Sequence, residues 1–140
     1  MRIAGLGPEY AAQFDDPSVV DAYDSRPPYP EPLVDWILSA SGTVSPRLVE
    51  LGCGTGELAR RLAPRASHVT AIDRSSRMIA RAGSCPGGDA PNIAWLTGDV
   101  ADTPIAGSFD LAVAAESFHC STGRARANGC GRWCRLERSS

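Results

Sequence analysis

Three glycines spaced two apart, Gly52, Gly54 and Gly56, stand in "VELGCGTGELA" between a short apolar run and a helical pattern. Lacking Cβ atoms, they let the backbone turn tightly and let a ligand approach it closely. Acidic residues mark the ends of three further apolar runs: Asp73 closes "HVTAID", Asp99 lies near the end of "IAWLTGDV", and Glu116 follows "FDLAVAA". A ligand lying across these strand tips would touch all four features. The spacing also says which ligand is disfavoured. The dinucleotide fingerprint G-x-G-x-x-G needs a glycine at position 57, where this chain has Glu57, and a carboxylate there would repel a pyrophosphate resting on the helix N-terminus. NAD and FAD are therefore poor fits.

The elements that must position these residues follow from periodicity. "RLVEL", "HVTAID", "IAWLTGDV" and "FDLAVAAESFH" are apolar runs of strand length, separated by helical or turn-rich segments. Between them, "ELARRLAPRA" carries Leu58, Ala59 and Leu62 at helical spacing until Pro64, and "SSRMIARA" is a helix opened by Ser75 or Ser76 and closed by Gly83. Upstream, "EPLVDWILSA" places Leu33, Trp36, Ile37 and Ala40 on one stripe and stops near Gly42. Strands alternating with helices imply parallel pairing, right-handed crossovers and a ligand at the carboxyl ends of the strands. The prediction is an α/β fold with about four parallel strands. Residues 1–32, rich in proline, read as an N-terminal arm with a short helix around "SVVDAY"; residues 33–119 form the domain, and 120–140 an irregular tail.

Composition narrows the function class. An apolar fraction of 43% and a net charge of −2 suit one globular domain with a small-molecule partner and give no basic footprint for nucleic acid. No run is long enough for a signal peptide or membrane span, so the expected location is cytoplasmic. The five cysteines have no regular spacing and read as thiols.

Taken in order, "YDSRPPYPEPLVDWIL", "VELGCGTGELA", "AIDRSSRMIARA" and "LTGDVADTPIAGSFDLAVAAESFH" resemble the class I S-adenosylmethionine-dependent methyltransferases of the small-molecule-methylating branch, from about Phe14 to His119. The resemblance implies a Rossmann-like sheet and S-adenosyl-L-methionine as cofactor. Glu50 and the turn formed by Gly52, Cys53, Gly54, Thr55 and Gly56 would hold the methionine part, with the carboxylate facing its ammonium. Asp73 would accept hydrogen bonds from both ribose hydroxyls, because an ionised carboxylate offers two acceptor oxygens and no donor. Met78 would pack on the adenine face, while Asp99 and the Val100 amide would meet its edge. Ala115 and Glu116 would line the sulfonium, with His119 pointing to the acceptor as a general base. Tyr23, Arg26 and Tyr29 of the arm would cover the cofactor. The reaction would be in-line transfer of a methyl group to an unidentified small molecule, for which the protein supplies orientation and water exclusion.

After His119 the pattern changes. Residues 120–140 contain five Arg, three Cys and few large apolar side chains. His119, Cys120, Cys130 and Cys134 match no zinc spacing, so no metal is expected. Back-translated with GC-rich codons, "HCSTGR" becomes "HWLDWP" when one G is restored, and the resembled family often has "FHWxD" there; a frame shift is one reading of the tail, and a truncated, inactive cofactor-binding remnant is the alternative to an active enzyme. The helices at 33–40, 57–63 and 75–82 would cover one face of the sheet only. The other face would be largely bare and the fourth strand an open edge, favouring self-association or low stability.

Overall fold

A computed structural model of the chain describes residues 15–23, 25–115 and 133–136, the last as backbone. The four apolar runs form β1 (Arg47–Leu51), β2 (His68–Asp73), β3 (Ile93–Thr97) and β4 (Leu111–Ala115), all in parallel register. Helices α1 (Pro17–Tyr23), α2 (Glu31–Ala40), α3 (Glu57–Leu62) and α4 (Ser76–Ser84) stand before and between them. The strand order is β3-β2-β1-β4-β5, where β5 (Trp133–Leu136) is a fifth strand paired parallel to β4. This is an α/β, Rossmann-like sheet. The chain moves to one side of β1 with β2 and β3 and to the other with β4, so the carboxyl ends of β1 and β4 flank the switch point at which such sheets bind ligands.

Alternation along β1 sends Leu48 and Glu50 to one face and Val49 and Leu51 to the other. The first face carries the main core, in which Leu48, Val69, Ala71, Leu111 and Val113 meet Val34, Ile37 and Leu38 of α2 and Leu58, Ala59 and Leu62 of α3. The buried stripe of α2 is thus rotated from the expected one: Val34, Ile37 and Leu38 are inside, whereas Trp36 is 54% exposed. Both stripes satisfy helical spacing, so periodicity alone does not choose between them.

Two expectations are corrected on the other face. Val49, Ile72 and Ala112 are 0% exposed there. They pack with Phe109, Leu96, Val100 and Ile105, so the turn-rich segment between β3 and β4 folds its apolar side chains back over the strands. The face is not bare, and an uncovered face no longer supplies a reason for self-association. Nor is β4 an edge, because Ala112 to Ala115 are in register with Trp133 to Leu136. Part of the stretch read as irregular is therefore strand. Its four residues are too few to show a period, and a parallel edge strand is held by backbone pairing to its neighbour more than by its own side-chain pattern. Gly83, expected to close α4, lies inside the helix, which runs on to Ser84 before Cys85.

Candidate active site

The loop from β1 into α3 is built as its glycines require. Gly52, Gly54 and Gly56 have φ of 70°, 56° and 72°, a region that disfavours side chains. A Cβ on Gly56 would lie 2.3 Å from the Trp95 ring, so β3 also demands glycine there. The Gly52 and Cys53 amides donate to the Ile72 carbonyl at 2.8 and 2.9 Å, fastening the loop to the end of β2. Gly56 is then the N-terminal boundary of α3, whose first bond runs from the Arg60 amide to the Gly56 carbonyl at 2.9 Å.

Beside this loop is a cavity of about 290 Å³. Its floor is Glu50, Gly52, Cys53, Gly54 and Thr55 with Ala115 from the tip of β4. Its outer wall is the arm, through Tyr23, Arg26, Pro27, Pro28 and Tyr29, and Glu57, Leu58 and Arg60 of α3 complete it. The Arg26 guanidinium stacks 4.1 Å from the centre of the Tyr23 ring, and that ring sits against Gly54.

Glu50 is the anomaly in this lining. It is 3% exposed, in the middle of an apolar face, and its Oε2 has no hydrogen-bond partner among the described residues. Burial pushes its carboxyl up to about 8, the Ala59 amide in the first turn of α3 pulls it back, and Glu57 and Asp73 add to the rise. A buried carboxyl is costly unless something compensates it. A cation brought into the cavity would do so. Burial likewise keeps the Cys53 thiol protonated.

Asp73 is arranged differently. Its Oδ2 accepts from the Gly54 amide at 2.8 Å and its Oδ1 from the Ser75 amide at 2.9 Å. Burial raises its pKa, and the Ser75 and Gly54 bonds oppose the rise. Each oxygen keeps one lone pair for a ligand hydroxyl. Ser75 is the N-cap of α4, accepting from the Met78 amide at 3.2 Å. Met78 is 1% exposed, buried as core and outside the lining of this cavity. Asp99 caps its own turn, accepting from the Ala101 amide at 2.9 Å, and lies 3.6 Å from Arg74 Nε. Val100 packs on the far face of the sheet. The Gly98 amide bonds the Asp73 carbonyl at 2.9 Å, which brings the ends of β2 and β3 together.

Of the residues singled out from the sequence, Glu50, Gly52, Cys53, Gly54, Thr55 and Ala115 thus share one cavity with Tyr23, Arg26 and Tyr29. Gly56, Asp73, Met78, Asp99 and Val100 stand outside its lining. Glu116, His119 and the tail cysteines lie outside the described side chains. Sequence reasoning missed Pro27, Pro28, Leu58 and Arg60 as wall residues. It also read Glu57 only as an obstacle to pyrophosphate, although the Glu57 and Arg61 pair at i, i+4 was a visible signal. Among the described residues no helix is long and apolar enough to cross a membrane.

The arrangement has counterparts. A family model described as a methyltransferase domain matches residues 48–138. An uncharacterised methyltransferase of Mycobacterium tuberculosis is 34% identical over 106 residues, covering 73% of this chain and 40% of the relative. The chain thus spans about two-fifths of the length of that relative. Among solved structures, the N-methyltransferase NodS from Bradyrhizobium japonicum in complex with S-adenosyl-L-homocysteine has 32% identity and a TM-score of 0.53, covering 73% of this chain and 47% of its own. DhpI in a complex with SAM and HEP has 28% identity and a TM-score of 0.61, covering 82% and 53%.

Proposed function

The chain belongs to the methyltransferase domain family, and from that premise we propose that it binds S-adenosyl-L-methionine across the tips of β1 to β4 and serves methyl transfer to a small molecule. One observation carries the reading: the buried Glu50 Oε2, without a partner among the described residues, in the lining of a cavity beside a glycine turn. A carboxylate there is a receptor for the α-ammonium of a methionine moiety, and the turn from Gly52 to Gly56 leaves backbone bare for it to lie against. When bound, the cofactor supplies a methyl group on a positively charged sulfur.

The chain's own residues would do the rest. Glu50 gives up its proton and holds the ammonium. Asp73 uses its remaining lone pairs on the ribose hydroxyls, and Asp99 and the Val100 amide take the adenine edge. Ala115 borders the reacting end with an apolar side chain, and Glu116, the next residue in sequence, would line it too. The arm keeps water from the cavity, so that orientation rather than covalent chemistry lowers the barrier. His119 would take a proton from the acceptor. Whether the chain is an inactive remnant is decided by activity once binding is established.

Calorimetric titration with S-adenosylhomocysteine tests the reading. Wild-type protein is expected to bind, and Glu50→Gln to bind roughly 10- to 100-fold more weakly, the loss expected for a charged hydrogen bond. A folded wild type that takes up no ligand, or a Glu50→Gln variant of unchanged affinity, would refute it.

A further inference from the structure

Glu57 occupies the first position of α3, and both its carboxylate oxygens face the arm, accepting from the Tyr29 amide at 3.3 and 3.4 Å. Four residues on, Arg61 lies 3.4 Å from the same carboxylate. Arg61 also donates to the Tyr29 carbonyl and pairs with Glu31 in the first turn of α2. The two side chains therefore grip both the amide and the carbonyl of one arm residue, at the point where the proline-rich wall of the cavity joins the domain.

The grip is specific in kind. Pro27, Pro28 and Pro30 carry no N–H, so Tyr29 is the one residue in that run with a backbone donor to offer, and Glu57 takes it. Prolines fix φ and hold the run extended, so a clasp at Tyr29 sets where Pro27 and Pro28 stand over Glu50 and the glycine turn. Glu57 and Arg61 are each half-buried, with side chains 29% and 27% exposed. That shielding makes the pair stronger than an open surface pair, but water can still compete for it.

Resting on the cofactor reading above, we propose that Glu57 and Arg61 are positioning residues that latch the arm over the cofactor cavity and set how long the cofactor stays bound. Opening the clasp frees Tyr29 and lets the wall from Arg26 to Tyr29 lift away from the glycine turn. Closing it restores the wall, with Glu57 at the edge of the cavity and Arg61 outside its lining.

The test measures association and dissociation of S-adenosylhomocysteine by surface plasmon resonance on the full chain. Glu57→Ala and Arg61→Ala are each expected to release the ligand about tenfold faster, equivalent to about 1.4 kcal/mol. Both break the same clasp, so the double variant should release no faster than the faster single one. Glu57→Gln, which keeps an acceptor for the Tyr29 amide, should fall between wild type and Glu57→Ala. If the alanine variants do not fold, Glu57→Gln and Arg61→Lys carry the comparison, with release a few times faster than wild type. Release rates equal to wild type in folded variants, or effects that simply add in the double variant, would overturn the latch while leaving the cofactor reading intact. A folded wild type that binds no ligand would overturn both.

Discussion

Glu50 and Asp73 are carboxyl groups on neighbouring parallel strands, yet the two ends of the candidate site treat them oppositely. At the β1 end, Glu50 is sealed under α3 and the arm with one oxygen unpartnered among the described residues. At the β2 end, each oxygen of Asp73 already holds a backbone amide. The first arrangement is unfinished without a cation and gives up stability to keep a buried acid. The second is finished as protein architecture, because Asp73 ties the glycine turn to α4, and a ligand would use only what is left over. Buried acids near one site can thus be divided into those that wait for a ligand and those that build the frame for one.

Asp73→Ala should break this contrast most severely. It strands the Gly54 and Ser75 amides, and at roughly 1–3 kcal/mol for each orphaned group the loss is expected to be about 2–4 kcal/mol in partly buried positions. Ligand affinity should fall as well, since the turn that Glu50 depends on loses its tie. Thermal melting with and without S-adenosylhomocysteine checks both effects; a variant that melts like wild type would make Asp73 a ligand residue only.

Glu50→Gln should do the reverse, weakening binding while strengthening the fold. The carboxyl is raised from its ordinary 4.5 to about 8, so between those values the folded chain holds a proton that the unfolded chain has lost. Its contribution is fully present below pH 4.5 and is lost as pH rises through about 8. The decline is at most about 1.4 kcal/mol per pH unit. Asp73, also raised by burial, adds a change of the same sign. The glutamine variant has no proton to lose at position 50, so its stability should exceed that of wild type by about 1–2 kcal/mol near neutrality, read as a higher melting temperature, and should depend less on pH. In wild type, affinity for the homocysteine cofactor product should rise with pH toward 8, because Glu50 must be ionised to receive an ammonium. Parallel pH profiles for the two proteins would show that Glu50 is not the titrating group.

The legible part of this molecule was the part encoded locally. The three glycines, the four strand runs and the helix start at Ser75 or Ser76 each state their conformation within a few residues, and the structure has a turn, four strands and a Ser75 cap there. That Glu50 is buried was only half legible: alternation along "RLVEL" puts it beside Leu48, but a strand-end acid can equally be solvated until α3 is seen to cover it. The second face was illegible for a related reason. Its cover comes from Val100, Ile105 and Phe109, isolated apolar residues in a segment whose prolines and glycines advertise turns, and no period connects them. The arm's docking rests on backbone groups of Tyr29 meeting side chains about thirty positions away, a contact that depends on tertiary geometry and leaves its only trace in the i, i+4 spacing of Glu57 and Arg61.

Asp99 gives the finest test of the division between waiting and framing acids. By its contacts it belongs with Asp73, since its Oδ1 accepts from the Ala101 amide and its Oδ2 faces Arg74. But the turn is more open than the one at Asp73, and the Arg74 pair is long, at 3.6 Å, with side chains 40% and 25% exposed. Such a pair contributes at most about 1 kcal/mol, and the turn amide can turn to water when its acceptor is removed. Asp99→Ala should therefore cost less than about 1 kcal/mol in a melting experiment. If the adenine edge also uses this carboxylate, the same variant loses several-fold in affinity for S-adenosylhomocysteine while adenine-free fragments such as methionine bind unchanged. Loss of stability without that selective loss of affinity would place Asp99 wholly in the frame, leaving Glu50 as the one acid in the comparison whose burial is explained by a ligand.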